Sequence, residues 1–167
     1  MLLGFSLAPM LPMLVNGLKV RDALLPGVED WMAETFAEHA AVAGGRIKAQ
    51  TIRAFGGDNP RSPYGRVQPG NRLDLWWKPR TRQRRKLGEV PCASLRRIHL
   101  GHLPGDNTTW AMSCNLETGT GTGTFKSLTC DEIWADVLRP DGFATMHDGR
   151  SFFCAKPGTF LGVVVGW

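Results

Sequence analysis

The sequence has only four cysteines, Cys92, Cys114, Cys130 and Cys154, and no two of them form a C-x-x-C pair. Spacing this wide argues against a disulfide framework and favours reduced, partly buried thiols, as expected of a cytoplasmic protein. The opening stretch MLLGFSLAPMLPMLVNGLK lacks a positively charged leader and carries Pro9 and Pro12 where a signal peptide would place its apolar run. Its unbroken apolar length is too short to span a bilayer, so it reads as the first strand and first helix of a soluble domain with no membrane partner. The glycines of ETGTGTGTF, residues 117–125, lack the spacing of a dinucleotide or nucleoside-triphosphate loop, and no lysine follows in the right place. That run reads as a hairpin or loop. No cluster of carboxylates and lysine has the spacing of a metal-dependent nuclease. His99 and His102 could bind a metal with Cys92 or Cys114, or serve metal-free RNA cleavage as acid and base, but their spacing matches no zinc pattern. No metal and no cofactor is therefore expected. Asp141-Gly142-Phe143 reads as a turn with a core phenylalanine, since no other kinase motif accompanies it.

What is present is a chain of 167 residues, 43% hydrophobic and 21% charged, long enough to bury a core as one globular domain. Its net charge of +5 is unevenly spread. Between Arg46 and Arg97 fourteen Lys or Arg stand against three acids, a local balance of +11, and the remainder carries six bases and twelve acids, or −6. The densest part is WWKPRTRQRRK, residues 76–86, in which Lys78, Arg80, Arg82, Arg84, Arg85 and Lys86 follow two tryptophans. Clustered cations attract phosphates regardless of sequence, and exposed aromatics stack on unpaired bases. No nearby acids neutralise the run, so RNA or single-stranded nucleic acid is the expected partner, a solvated hairpin tip being the alternative. Adjacent strand residues face opposite sides, so one of Trp76 and Trp77 is expected in the core.

Periodicity places these pieces on a mixed α+β framework. Residues 28–43 carry an apolar stripe at Val28, Trp31, Met32, Phe36, Ala40 and Val42 or Ala43, which predicts a helix ending at Gly44-Gly45. Gly56 to Gly70 reads as a loop. NRLDLWW alternates as a strand, and LGEVPCASLRRIHL returns as a strand pair with a proline inside it. CDEIWADVL predicts a short helix with early acids and HDGRSFFCAK a second, weakened by Gly149. FLGVVVGW closes the chain as a β-branched, buried strand.

The string IKAQTIRAF, residues 47–55, sets Lys48, Thr51 and Arg53 between apolar neighbours at the edge of an expected strand. The order KAQTIRA, then VQPGNRLDLWW, then RTRQRRKLGEVPCAS, then a C-terminal DGF and a closing LGVVVGW resembles the ASCH domain, in the variety common among phage and prophage proteins. The resemblance runs from about residue 44 to the C-terminus and takes in the first strand and helix. It implies a PUA-like fold, a twisted β-barrel with short helices at its rim, over one domain spanning residues 1–167. It also implies ligands of the RNA or modified-nucleobase class, and a small bacterial branch of the family hydrolyses N4-acetylcytidine. In that branch a lysine and a threonine stand in the Lys-x-x-Thr spacing of Lys48 and Thr51, with a glutamate on a later strand that Glu89 best matches. The family's Gly-x-Lys after the first helix is met by Gly17-Leu18-Lys19. A helical insertion at about residues 20–44 then intervenes before Lys48, to cover a cleft or to form a partner surface. The cationic tip at about 78–86 is absent from the smallest hydrolases.

Elementary chemistry bounds the enzymatic expectation. Cleaving an amide on an exocyclic nitrogen takes a nucleophile, a base for its proton, an acid for the leaving amine and donors for the oxyanion. Thr51 needs a neighbour to accept its proton, and Lys48 can do so only where burial and nearby cations such as Arg46 and Arg53 favour the neutral amine. Glu89, if desolvated, could hold a proton for the amine. The alternative for Lys48 and Thr51 is ordinary surface strand chemistry, and Arg53 suits either a phosphate or carbonyl ligand or a buried ion pair. Two expectations of different class follow: hydrolysis of N4-acylated cytosine nucleosides by Lys48, Thr51 and Glu89, or a module that holds RNA or single-stranded DNA, as a monomer, without turnover.

Overall fold

The computed structural model describes residues 2–5, 7–54, 67–102, 112–117, 125–153 and 159–167. The chain is α+β, in chain order β1 (Leu2–Phe5), a 3-10 turn (Ala8–Met10), α1 (Leu11–Lys19), α2 (Val28–Ala43), β2 (Gln50–Ala54), β3 (Arg72–Trp77), β4 (Arg85–Pro91), β5 (Ser94–His102), β6 (Met112–Glu117), β7 (Phe125–Ser127), α3 (Cys130–Glu132) running into a π-helix (Ile133–Leu138), α4 (Met146–Phe153) and β8 (Thr159–Gly166). Its backbone divides into two compact units, residues 1–49, 67–93 and 167 in the first and residues 50–66 and 94–166 in the second. The expected loop before Val67, the glycine run at 118–124 and Cys154 lie outside the described residues.

The first unit is built on a three-stranded sheet, β1-β3-β4, with β1 parallel to β3 and β3 antiparallel to β4. The alternation in RLDLWW buries Leu73, Leu75 and Trp77 and turns Arg72, Asp74 and Trp76 to the other face. Leu3 and Phe5 stand opposite Leu75 and Trp77, and Val90 opposite Leu73, so one face of the sheet is apolar core. Trp77 is 2% exposed and Trp76 half-buried, which settles which tryptophan points inward. The register shifts between Leu75, opposite Gly88, and Trp76, opposite Lys86, leaving the buried Leu87 as the extra residue of a bulge. Leu87 offers its carbonyl to the Leu25 amide at 2.9 Å, which covers that edge of β4. The strand ends at Pro91, which has no N–H to continue a ladder.

Two helices complete this unit. In α1, Leu11, Leu14, Val15 and Leu18 are fully buried. Gly17 gives the chain at Lys48 room to pass: the Lys48 amide donates to the Met13 carbonyl at 2.9 Å, and the Asn16 side chain donates to the Arg46 carbonyl at 3.0 Å. A Cβ on Gly17 would overlap the Lys48 carbonyl oxygen. The expected helix at 28–43 is α2, closed by Gly44 in the left-handed conformation at φ 56°. Of its stripe, Val28, Met32 and Ala43 are buried, Trp31, Phe36 and Ala40 half-buried, and Val42 exposed. The backbone leaves helical geometry at Phe36 (φ −136°, ψ 32°).

The second unit carries a five-stranded sheet, β2-β8-β5-β6-β7. The closing strand is its second member, paired antiparallel with both β2 and β5, and Val163, Val164 and Val165 are buried there. β6 and β7, which no sequence signal singles out, pair antiparallel up to Glu117 opposite Phe125, so the glycine run is flanked by a hairpin. CDEIWADVL is helical as expected, opening with a capping box between Thr129 and Glu132 and continuing as a π-helix. The orphan carbonyls of Asp136 and Val137 accept from the Gln50 side chain at 3.1 and 2.8 Å. Gly149 does not break α4, because a Cβ there would stand 2.6 Å from both Leu138 methyls: the helix needs that close approach. Asp141-Gly142-Phe143 is the expected turn, with Gly142 at φ 98° and Phe143 buried. No pairing among the described residues closes either sheet into a barrel.

Candidate nucleic-acid interface

The residues between β3 and β4 form two successive turns hinged on Thr81. The Thr81 amide donates to the Lys78 carbonyl at 3.1 Å and the Arg84 amide donates to the Thr81 carbonyl at 3.2 Å. The Thr81 hydroxyl ties them together, donating to the Lys78 carbonyl at 3.0 Å and accepting from the Gln83 amide at 3.2 Å. Pro79, at the second position of the first turn, sits where its fixed φ favours a turn, and it packs against Gly4 of β1, where a Cβ would be 2.6 Å from its ring. Lys78 takes a left-handed φ of 38°, held by its amide bond to the Phe5 carbonyl at 2.8 Å and by its ammonium on Gln83 at 2.9 Å. The tip is thus a hydrogen-bonded platform.

Its six cations have different surroundings. Arg80, Arg82 and Arg84 are exposed, and none of them is paired with an acid among the described residues. Arg85 is half-buried; its guanidinium donates to the Gly27 carbonyl at 3.0 Å and lies 4.9 Å from the Trp31 ring, so it tethers α2 to β4. Lys78 lies 5.4 Å from the Trp77 ring. Lys86 corrects the expectation that no acid offsets the run: it pairs with Asp74 at 2.7 Å and with Glu89, and Arg72 pairs with the same two acids. The reason is the strand period. Asp74, opposite Glu89, and Trp76, opposite Lys86, share the solvent face, so residues distant in sequence form one ionic cluster. The Lys86 bond holds the Asp74 carboxyl below the usual carboxylate range, with Arg72 adding to the effect, and the Lys86 ammonium is raised in return, first by Asp74 and then by Glu89. Alternation on either side of the hairpin was the signal that could have revealed this cluster.

The residues of the family-like motif are placed as follows. Lys48 is 1% exposed and lies ahead of β2, because its amide bonds α1 instead of a strand ladder. Thr51 is 4% exposed, opposite Val165 on β2, and Arg53 is half-buried on the same face, opposite Val163. Burial removes the surface-strand alternative for Lys48 and Thr51. Lys48 and Glu89 belong to the first unit, Thr51 and Arg53 to the second. Glu89 is about one-third exposed and engaged with both Lys86 and Arg72, a salt-bridge partner in place of a desolvated proton donor. Among the described residues no group of three His, Cys, Asp or Glu side chains could hold a metal, and the side chains of His102 and Cys114 lie outside them. Cys130 is exposed and accepts from Arg150 at 3.4 Å. No described helix is long and apolar enough to cross a membrane.

Comparison of the chain with protein-family models, with curated proteins and with solved structures gives no match.

Proposed function

We propose that this chain is an ASCH-type protein of PUA-like fold that holds RNA or another single-stranded nucleic acid at the 78–86 hairpin, without turnover. One observation carries the proposal: Arg80, Arg82 and Arg84 project from a platform whose own hydrogen bonds fix it, with no acid paired to them among the described residues. A backbone held this way spares the loop its own ordering cost when the arginine side chains meet phosphate oxygens. Trp76, half-buried on the face beside Lys86 and next to Gly4 under Pro79, supplies a ring for one base. Arg85 and Lys86 support the platform instead of contacting ligand. The test is retention of a fluorescent single-stranded RNA by the parent protein at low salt, with Arg80, Arg82 and Arg84 replaced by Ala as the comparison. Loss of retention in the variant supports the proposal, and equal retention refutes it.

A second reading is favoured by the burial of Lys48 and Thr51, 1% and 4% exposed. In it Thr51 attacks the acyl carbon of N4-acetylcytidine, neutral Lys48 takes the hydroxyl proton and returns it to the leaving N4, and water then releases acetate from Thr51. Glu89 would serve as the acid only after leaving Arg72 and Lys86. Incubation with N4-acetylcytidine and with acetylated RNA, followed by mass spectrometry for cytidine, tests it. Turnover lost in Lys48→Ala and Thr51→Ala establishes the hydrolase; no cytidine from the parent excludes it.

A further inference from the structure

The helical insertion has a chemistry of its own where it meets the tip. Arg85, the residue after the last exposed tip arginine, places its guanidinium over Trp31. From Trp31 a row of rings continues along α2, with Phe36 at 5.6 Å and His39 stacked on Phe36 at 6.2 Å. Phe36 is braced from below by Trp77 at 5.3 Å, at the position where the helix leaves regular geometry. Trp31, Phe36 and His39 are all half-buried, so none is sealed in the core, and each ring is held against the next. Fixed, partly open rings in a row are what unstacked bases use as a platform.

The charges set a direction. α2 contains Glu29, Asp30, Glu34 and Glu38 and no Lys or Arg, and among the described residues only Glu29 of these acids has a cation partner, Lys19. An acidic helix repels phosphates within a Debye length of about 8–10 Å, whereas the neighbouring tip attracts them. A polyanion without bases would therefore gain nothing from α2. A single strand can satisfy both surfaces, with its phosphates on the tip arginines and its bases turned towards the rings.

We propose that α2 is the base-binding half of the interface: Trp31, Phe36 and His39 form a stacking ledge that, with Arg80, Arg82 and Arg84, selects single-stranded nucleic acid over duplex and over base-free polyanions. The inference rests on the proposed role of the tip. It assigns the insertion the second of the two roles open to it, a partner surface.

The experiment compares binding of a single-stranded RNA, the same RNA as a duplex, and inorganic polyphosphate to the full chain at fixed salt. Parent protein prefers the single strand to the duplex. In Trp31→Leu, which keeps an apolar side chain under Arg85, the ratio of single-strand to polyphosphate affinity falls about 5- to 150-fold, the range for one lost base stack. Trp31→Phe, which keeps a ring, restores it. His39→Leu, at a ring that contacts Phe36 while Arg85 lies over Trp31, reads the ledge apart from the tether and lowers the same ratio. A ratio unchanged in both leucine variants overturns the ledge while the tip reading stands. Parent-like binding of all three ligands when Arg80, Arg82 and Arg84 are replaced by Ala overturns the tip reading, and the ledge with it.

Discussion

Substituting Gly17 by Ala inverts an ordinary expectation. Inside an exposed helix the change is stabilising by about 0.5–1 kcal/mol, because alanine loses less conformational freedom on folding. Gly17 is buried in α1, and a Cβ there would meet the Lys48 carbonyl oxygen well inside van der Waals contact, its carbon at 3.3 Å and the Ile47 Cγ2 at 3.4 Å. The nearest obstacle is backbone, which cannot rotate away as a side chain does. The segment 46–48 must then lift off α1. Overpacking of this kind costs about 1–3 kcal/mol, and weakening the Lys48 amide bond to Met13 and the Asn16 bond to Arg46 adds about 0.5–1.5 kcal/mol each. The sum outweighs the propensity gain of about 0.5–1 kcal/mol, so Gly17→Ala is expected to destabilise by about 1–5.5 kcal/mol. Urea denaturation followed by fluorescence and circular dichroism reads the shift. Gly17→Ala with a raised midpoint would refute the placement of Lys48 against α1.

Acid is expected to lower the stability of this protein in a defined window. Lys126 and the Thr129 amide and hydroxyl hold the Glu132 carboxyl at about 2, against an ordinary 4.5. A depressed carboxylate stabilises the fold above its unfolded pKa and loses that contribution as pH falls through the folded one, so stability drops between about pH 4.5 and 2. Asp74, lowered by Lys86 and Arg72, acts in the same direction. Glu132→Gln is expected to flatten that part of the profile in denaturation midpoints measured across pH; an unchanged slope contradicts the capping assignment. Lys86→Gln is expected to change the salt dependence of RNA binding by less than Arg82→Ala does, since its charge is already met by Asp74 and Glu89. An equal or larger effect would return Lys86 to the contact surface.

The elements were legible where one period dominated. RLDLWW, VEDWMAETFAEHAAVA and FLGVVVGW each carry a pattern strong enough to fix type and extent, and the glycines after α2 mark its end. β6 and β7 were not legible, because MSCNLE and FKS are short, mixed in polarity and separated by a run that dominates the composition. The tip was legible as a block of charge but not in its partition. Which cations are spent depends on Asp74, Glu89, Gly27 and Trp31, brought near by register and by helix docking that one-dimensional spacing does not contain. Lys48 illustrates the same limit: its motif spacing is visible, yet its burial depends on a glycine in α1, thirty-one residues earlier. Gln50, between the motif's Lys48 and Thr51, anchors the end of the π-helix, a role that no sequence spacing signals.

Equilibrium binding of a single-stranded RNA over a range of salt concentrations, for the parent and for the chain with Arg80, Arg82 and Arg84 replaced by Ala, is the most direct test of the central claim. Each phosphate contact on a single strand contributes about 0.7 to the slope of log affinity against log salt. The parent is expected to show a steep negative slope, and the variant a slope shallower by about 2 with weaker binding throughout. Coincident slopes and affinities for the two proteins would contradict the claim that the 78–86 hairpin is where nucleic acid is held.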